Sequence, residues 1–262
     1  MQFGIMQGRL TFTKNNILQK LPTNWQKEYE NLSAVRLDYI EIFTTKYRDQ
    51  SPIWNSNLKL LQKKILSTNL KKLILCDNFI LESNILEAKY IKYFNLLIKK
   101  VKLFNNSLLV IPLDKILFND GHYRLVVKKI INLIRISKRN NTEVSFEIDI
   151  SLSRILKLIK DVNSKNFKIT FDTGNIFLLK NNNKYLLNYF MKIKNRVNHI
   201  HIKDRNIFGA NVILGSGLVN FRMFFNAIKK IKYNKTLTFE THRGKNPIKT
   251  AKNNISFIKS YL

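Results

Sequence analysis

Four residues, Glu147, Asp172, His201 and Glu240, each close a segment of similar design and together could hold a metal ion. In Val144-Ser145-Phe146-Glu147, Ile169-Thr170-Phe171-Asp172 and Leu237-Thr238-Phe239-Glu240, bulky apolar residues flank one hydroxyl residue and a carboxylate stands last. Strand side chains alternate with period two, so hydroxyl and carboxylate share one face of each segment. The fourth segment runs from Val197 to Arg205. Alternation there puts Val197, His199, His201 and Lys203 on one face and Ile200 and Ile202 on the other. Three carboxylates brought to one point repel each other and are costly to desolvate. One divalent cation removes that conflict, and a mixed Glu/Asp/His set suits Mn²⁺, Mg²⁺, Co²⁺ or Zn²⁺ rather than a thiolate-seeking metal. Taken singly, a strand-end Glu or His is more often a satisfied polar group than a ligand. The recurrence of one grammar four times carries the metal reading.

The elements that must position these residues follow from the rest of the chain. Strand-like runs recur eight times, at Phe3–Met6, Asp38–Phe43, Lys72–Cys76, Leu108–Ile111, Glu143–Ile148, Lys168–Phe171, Asn198–Ile202 and Thr236–Phe239, with helical spacing between them. Eight βα units in 262 residues match the size of one (β/α)₈ barrel, about 250 residues, whose functional side chains sit at the C-terminal strand ends. The expected architecture is therefore α/β, a single domain over residues 1–262. Thr23-Asn24-Trp25-Gln26 reads as a capping box ahead of Trp25, Tyr29 and Leu32. Leu86, Tyr90, Tyr93, Leu97, Val101 and Phe104 form a longer stripe. Ser151 is placed to cap a helix with Leu152, Ile155, Ile159 and Val162 inward, and Asn220 one with Phe221, Phe224, Ile228 and Ile231 inward. These stripes carry fold rather than function.

Composition narrows the partners. Apolar residues make up 45% of the chain and no apolar run approaches the roughly 18 residues of a membrane span, so a soluble protein is expected. The first strand begins almost at once, with no leader pattern ahead of it. Cys76 is the only cysteine, which excludes an internal disulfide and suits a reducing cytoplasm. The net charge of +29 invites a nucleic-acid reading. Against it, only 11 of the 46 basic residues are Arg, and they are spread along the chain with a general excess of Lys, Asn, Ile and Phe, as an A+T-rich genome would produce. Lysines on the polar faces of helices explain the charge.

These motifs resemble the xylose isomerase-like TIM-barrel family of sugar and sugar-phosphate isomerases and epimerases. The resemblance rests on Gly4-Ile5-Met6-Gln7-Gly8-Arg9-Leu10, Asp172-Thr173-Gly174, His199-Ile200-His201-Ile202-Lys203-Asp204, and Leu214-Gly215-Ser216-Gly217 followed by Phe221, and it spans nearly the whole chain. It implies that Glu147, Asp172, His201 and Glu240 are the ligands of one divalent metal ion, with Glu147 and Glu240 also moving protons. Many relatives carry a histidine three residues after the aspartate. Here Asn175 stands in that place, able to hydrogen-bond a hydroxyl but not to act as acid or base. Gln7, Arg9, Glu41, Asn175, Lys203, Arg205 and His242 are the candidates for substrate contacts.

The leading expectation is an aldose–ketose isomerase or ketose epimerase working through an enediolate, with a dehydratase of a cyclic polyol as the near alternative. A barrel endonuclease of the endonuclease IV type would use the positive charge, but it needs several more histidines than the four present, His122, His199, His201 and His242. A barrel that only binds is disfavoured by retention of all four ligand residues. Lys203, Arg205 and the backbone N–H groups of Gly215–Gly217 suggest that a charged substrate would be a small phosphate or carboxylate. Self-association into a homo-oligomer is left open.

Overall fold

The computed structural model describes residues 1–12, 18, 20–22, 24–105 and 107–262. Eight parallel strands close into a barrel in the order β1 (Gln2–Met6), β10 (Thr236–Phe239), β7 (Val197–Ile202), β6 (Lys168–Asp172), β5 (Glu143–Ile148), β4 (Leu108–Leu113), β3 (Ile74–Asp77) and β2 (Tyr39–Thr44). A short antiparallel hairpin of β8 (Asp204–Arg205) and β9 (Asn211–Val212), absent from the eight expected strands, follows β7. All eight barrel strands fall where the hydrophobic pattern puts them. The edges move by one or two residues, and β4 continues through Pro112 to Leu113.

The helices bury most of each expected stripe, although Leu158 and Phe225 turn inward while Leu152, Ile159 and Ile231 are only half-buried. Helix α1 (Trp25–Val35) buries Trp25, Tyr29 and Leu32, and its cap is Asn24, whose side chain accepts from Lys27 N; Thr23 lies outside the described residues. Helix α4 (Ala88–Val101) buries Tyr90, Tyr93, Leu97 and Val101. Ser151 caps α6 (Leu152–Val162) and Asn220 caps α9 (Phe221–Lys230), each side chain accepting from the backbone N–H three residues on. The layer between strands and helices is a continuous apolar core that includes Ile111, Phe146, Phe171, Ile200, Ile202 and Phe239.

One strand departs from simple alternation. The β6–β7 register shifts between Ile169 and Thr170, pairing Ile169 with Val197 but Thr170 with His199. Asn198 is the extra residue of a bulge, and a bulge reverses the facing of what precedes it. Val197 therefore packs with Ile200 and Ile202 in the helix-facing core, not beside His199 and His201. Asn198 turns inward instead, where its Oδ1 accepts from Ser145 Oγ at 2.7 Å and its Nδ2 donates to Glu143.

The barrel interior is divided as a result. Met6, Ile74, Cys76, Leu108 and Val110 fill one side with apolar side chains. The other side carries hydroxyls and imidazoles: Thr170 donates to Ser145, Tyr39 OH and Thr238 Oγ1 lie 2.9 Å apart, and His199 Nδ1 lies 2.7 Å from Thr236 Oγ1. A barrel interior filled mainly by branched apolar residues is the usual solution. The polar half here lies directly beneath the strand ends that carry the carboxylates.

Candidate active site

Strands β5, β6, β7 and β10 bring Glu147, Asp172, His201 and Glu240 together, each offering one donor atom within 4.8 Å of the others. Asp172 and His201 are fully buried and the two glutamates nearly so. His201 Nδ1 lies 3.1 Å from Glu240 Oε2 and 3.4 Å from Glu147 Oε2, yet no hydrogen bond to it forms. Asp172 Oδ1 caps α7 (Thr173–Leu178) by accepting from Asn175 N at 2.7 Å, leaving Oδ2 turned toward the cluster. Lys203 Nζ approaches that Oδ2 to 2.8 Å without hydrogen-bond alignment and reaches Glu240 Oε2 at 3.0 Å. A buried imidazole nitrogen and three carboxylates converging on one point, with the Lys203 ammonium beside them, are a donor set that a divalent cation would satisfy, so the residues fit the ion.

Glu41 orients the imidazole. It is fully buried under His201, and its two oxygens lie 3.1 Å from His201 Nε2 and 2.9 Å from His199 Nε2. Glu41, His199 and His201 also come close enough together to suggest a second metal group. Hydrogen bonds account for that geometry fully. With a cation bound at Nδ1, they would keep the one remaining His201 proton on Nε2. Glu41, a candidate for substrate contact from the sequence, is buried with its two carboxylate oxygens against the two imidazoles.

Charge is distributed unevenly over the cluster. Burial raises the Glu147 carboxyl above its ordinary range; His201 opposes this, while Asp172 and Glu240 add to it. Burial acts on Glu240 in the same direction, but Lys203, His201 and Arg9 override it and hold Glu240 well below the carboxylate range. Glu41 is likewise held low, against its burial, by His201 and His199. Burial would depress the Lys203 ammonium, and Asp172, Glu240 and Glu147 reverse that and push it up. His201 is raised well above the usual imidazole range, the three glutamates outweighing burial.

The remaining candidates divide. Asn175 Nδ2 donates to Glu147 Oε1 at 3.3 Å and to Asp149 Oδ2 at 2.9 Å, and Arg205 donates to Asn175 Oδ1. Gln7 and Arg9 are buried and engaged in the scaffold: Gln7 Oε1 accepts from Phe43 N, and the Arg9 guanidinium donates to the carbonyls of Thr241, Gln7 and Leu18. His242 is exposed, with Nδ1 accepting from Gly244 N, and is not drawn into the cluster. Asp149 is the residue that the sequence reading missed. It stands two positions after Glu147 and so on the same face, which was the available clue. Burial, together with Glu147 and Asp172, raises its carboxyl well above the ordinary value.

The expected anion cradle is not available. The N–H groups of Gly215 and Gly217 both donate to Asp204 Oδ2 at 3.0 Å, and Val219 N donates to Oδ1. Gly217 is needed there because any side chain would collide with the Asp204 carboxylate. Lys203 is likewise committed to Asp172 and Glu240.

A cavity of about 340 Å³ opens over the cluster, lined by Glu147, Asn175, Lys203 and Glu240 with Met6 and Cys76. A larger one, about 590 Å³, lies at the other end of the barrel near Val197 and Lys235, far from this chemistry.

Comparison with known proteins agrees with this architecture. Residues 30–261 match the family described as xylose isomerase-like TIM barrel. The chain belongs to that family. An uncharacterized protein of Methanocaldococcus jannaschii is 40% identical over 70 residues, 26% of each chain, so the match spans about a quarter of that relative's length. Among solved structures, a D-allulose 3-epimerase from Methylomonas sp. superposes with TM-score 0.74 at 15% identity, covering 100% of this chain and 98% of that one. The IolI protein with a binding zinc atom gives 0.73 at 16%, covering 100% and 99%. The probable 3-DHS dehydratase AsbF from Bacillus anthracis gives 0.76 at 14%, covering 99% of each. At such identities these structures share the fold. No described helix is long and apolar enough to cross a membrane.

Proposed function

We propose that this protein is a divalent-metal-dependent isomerase or epimerase of a small sugar or sugar derivative. The observation that carries the reading is the convergence of Glu147, Asp172, His201 and Glu240 within 4.8 Å beside a cavity. Bound there, a divalent cation would supply Lewis-acid polarisation of the substrate carbonyl. Glu240, held as a carboxylate by Lys203, is the group ready to take the proton next to that carbonyl. Glu147, the other glutamate of the cluster, is the group to return a proton to the enediolate on the other carbon or face. Lys203 keeps the neighbouring carboxylates from repelling each other, and Glu41 fixes the His201 ring. Asn175, whose Nδ2 donates to Glu147 and Asp149, has acceptor capacity left on Oδ1 for a substrate hydroxyl and does not enter proton transfer.

The likeness in fold to a probable dehydratase favours one second reading, elimination of water from a cyclic polyol, which begins with the same proton abstraction. A nucleic-acid substrate is not proposed: of the four histidines, His199 is tied to Glu41 and Thr236, and His122 and His242 lie away from the cluster. The test is a panel of ketoses and cyclic polyols incubated in deuterated water with Mn²⁺-loaded protein. Deuterium appearing in a sugar isomer supports isomerisation or epimerisation, loss of water supports dehydration, and no exchange with any member refutes both.

A further inference from the structure

Beside the cavity over the metal-ligating cluster lies a second, about 410 Å³, and the two share Leu81, Pro112, Glu147 and Asn175 as a common wall. Pockets for small molecules run from about 300 to 1,000 Å³, so the inner chamber alone is of a size for one sugar and the outer chamber is additional space. Leu81, Pro112, Leu113, Leu178 and Leu179 form an apolar wall, and the half-buried Asp149 carboxyl joins Glu147 and Asn175 as its inner polar groups. Asp149 Oδ2 accepts from Asn175 Nδ2 at 2.9 Å, whereas Oδ1 accepts no hydrogen bond from any described residue. Asp114 stands at the rim with Lys115. Apolar walls around a carboxylate suit the C–H faces and hydroxyl donors of a sugar ring. They do not suit a phosphate, which would meet Asp149, Glu147 and Asp114 with a single lysine in compensation.

We propose that the outer chamber is a second sugar subsite in which Asp149 accepts hydrogen bonds from the hydroxyls of an uncharged glycosyl group, making the preferred substrate a glycosylated ketose. The inference rests on the sugar reading of the inner site, and it narrows the substrate from a small sugar in general to a neutral one of two rings. It also gives a role to Asn175. One amide nitrogen spans Glu147 in the inner chamber and Asp149 in the outer, so the two halves of a substrate are held by groups tied to each other.

The experiment uses three ligands that share one ketose: D-fructose, D-fructose 6-phosphate, and isomaltulose, in which a glucosyl group replaces the phosphate. Binding is measured by calorimetry on Mn²⁺-loaded protein, and deuterium incorporation is followed separately. Isomaltulose is expected to bind about tenfold or more tightly than either other ligand, about 1.4 kcal/mol. Asp149→Ala is expected to remove that preference, and Asp149→Asn, which retains an acceptor oxygen, to restore part of it. Equal or weaker binding of isomaltulose, preference for the phosphate, or an unchanged preference in Asp149→Ala overturns the subsite. Because binding is read apart from exchange, preference without any deuterium incorporation would sink the isomerase reading and leave the subsite standing.

Discussion

Replacing Glu41 tests the centre without touching a proposed ligand. For His201 Nδ1 to coordinate a cation, the ring proton must reside on Nε2, and Glu41, 3.1 Å away and fully buried, is the acceptor that keeps it there. Glu41→Gln offers one acceptor and one donor in place of two acceptors. If the amide oxygen faces His201, the NH₂ group faces His199 Nε2, which must then accept. His199 can do so, because its Nδ1–H then donates to Thr236 Oγ1, 2.7 Å away. The tautomer of His201 survives, and only the negative charge behind it is lost. Glu41→Leu removes both acceptors. His199 still has Thr238 Oγ1 at 3.2 Å, so the donor left unsatisfied is His201 Nε2–H. Outer-shell partners are typically worth about 10–100-fold in metal affinity. Glu41→Gln should fall at the lower end, about 1.4 kcal/mol, and Glu41→Leu at the upper, about 2.7 kcal/mol. Glu41→Leu should also lose about 1–3 kcal/mol of folding stability for the orphaned donor. Calorimetric Mn²⁺ titration gives the affinities, and ¹⁵N imidazole shifts give the tautomers, with His199 changing in Glu41→Gln and His201 not. Mn²⁺ affinity of Glu41→Leu equal to that of the unsubstituted protein would refute the positioning role.

The barrel was legible because eight apolar runs alternate with helical stripes, four of the runs carry a chemistry-bearing polar residue at or beside their C-terminal ends, and period-two alternation told inside from outside wherever the ladder was regular. That logic located Glu147, Asp172, His201 and Glu240 before any geometry was known, and the four converge. It misplaced Val197 because one bulged residue, Asn198, reverses facing without leaving a mark in the hydrophobic pattern. The anion cradle was misread for a different reason. Gly215-Ser216-Gly217 does present N–H groups, but Asp204, ten or so residues earlier, folds back to accept them, and sequence distance conceals such a return. Lys203 was recognised as a cation near the site, but not as one already held by Asp172 and Glu240, because pairing between strand ends depends on closure of the barrel. Asp149 shared a face with Glu147 and was within reach of the same reasoning. Glu41 and Arg9 could not be separated from substrate contacts by residue type, since a buried positioning group and a binding group use the same side chains.

Three further outcomes follow from the same contacts. Glu147→Gln and Glu240→Gln should each stay folded and remain inactive in saturating Mn²⁺, because general-base help is worth about 10²–10⁴-fold and added metal cannot replace it; full turnover by either variant would end the two-glutamate mechanism, and exchange surviving in one would mark the other as the residue that starts the reaction. Lys203→Met, measured in chelator by thermal denaturation, should be destabilised by about 3–5 kcal/mol for carboxylates left without their buried partner, and Mn²⁺ should recover much of it; an unchanged melting temperature would show that Lys203 does not bind Asp172 and Glu240 together. The last concerns pH. Glu28 is buried with its carboxyl pushed up to about 7, burial outweighing the N–H groups of Gly8 and Leu10 and the charge of Arg9. A folded-state value raised above the unfolded one means that the native chain holds the proton more tightly, so the associated stability is fully present below about pH 4.5 and is lost as pH rises toward 7. The shift corresponds to on the order of 3 kcal/mol at most. Glu28→Gln keeps an acceptor for the Gly8 and Leu10 N–H groups and cannot ionise, so urea denaturation should show the variant gaining on the unsubstituted protein from pH 5 to pH 8. Other carboxyls titrate in that range, but they titrate in both proteins, so the difference between the two isolates Glu28. A difference that stays constant across those pH values would mean that Glu28 is already ionised in the folded chain at pH 5, held so by the backbone N–H groups and Arg9 against its burial.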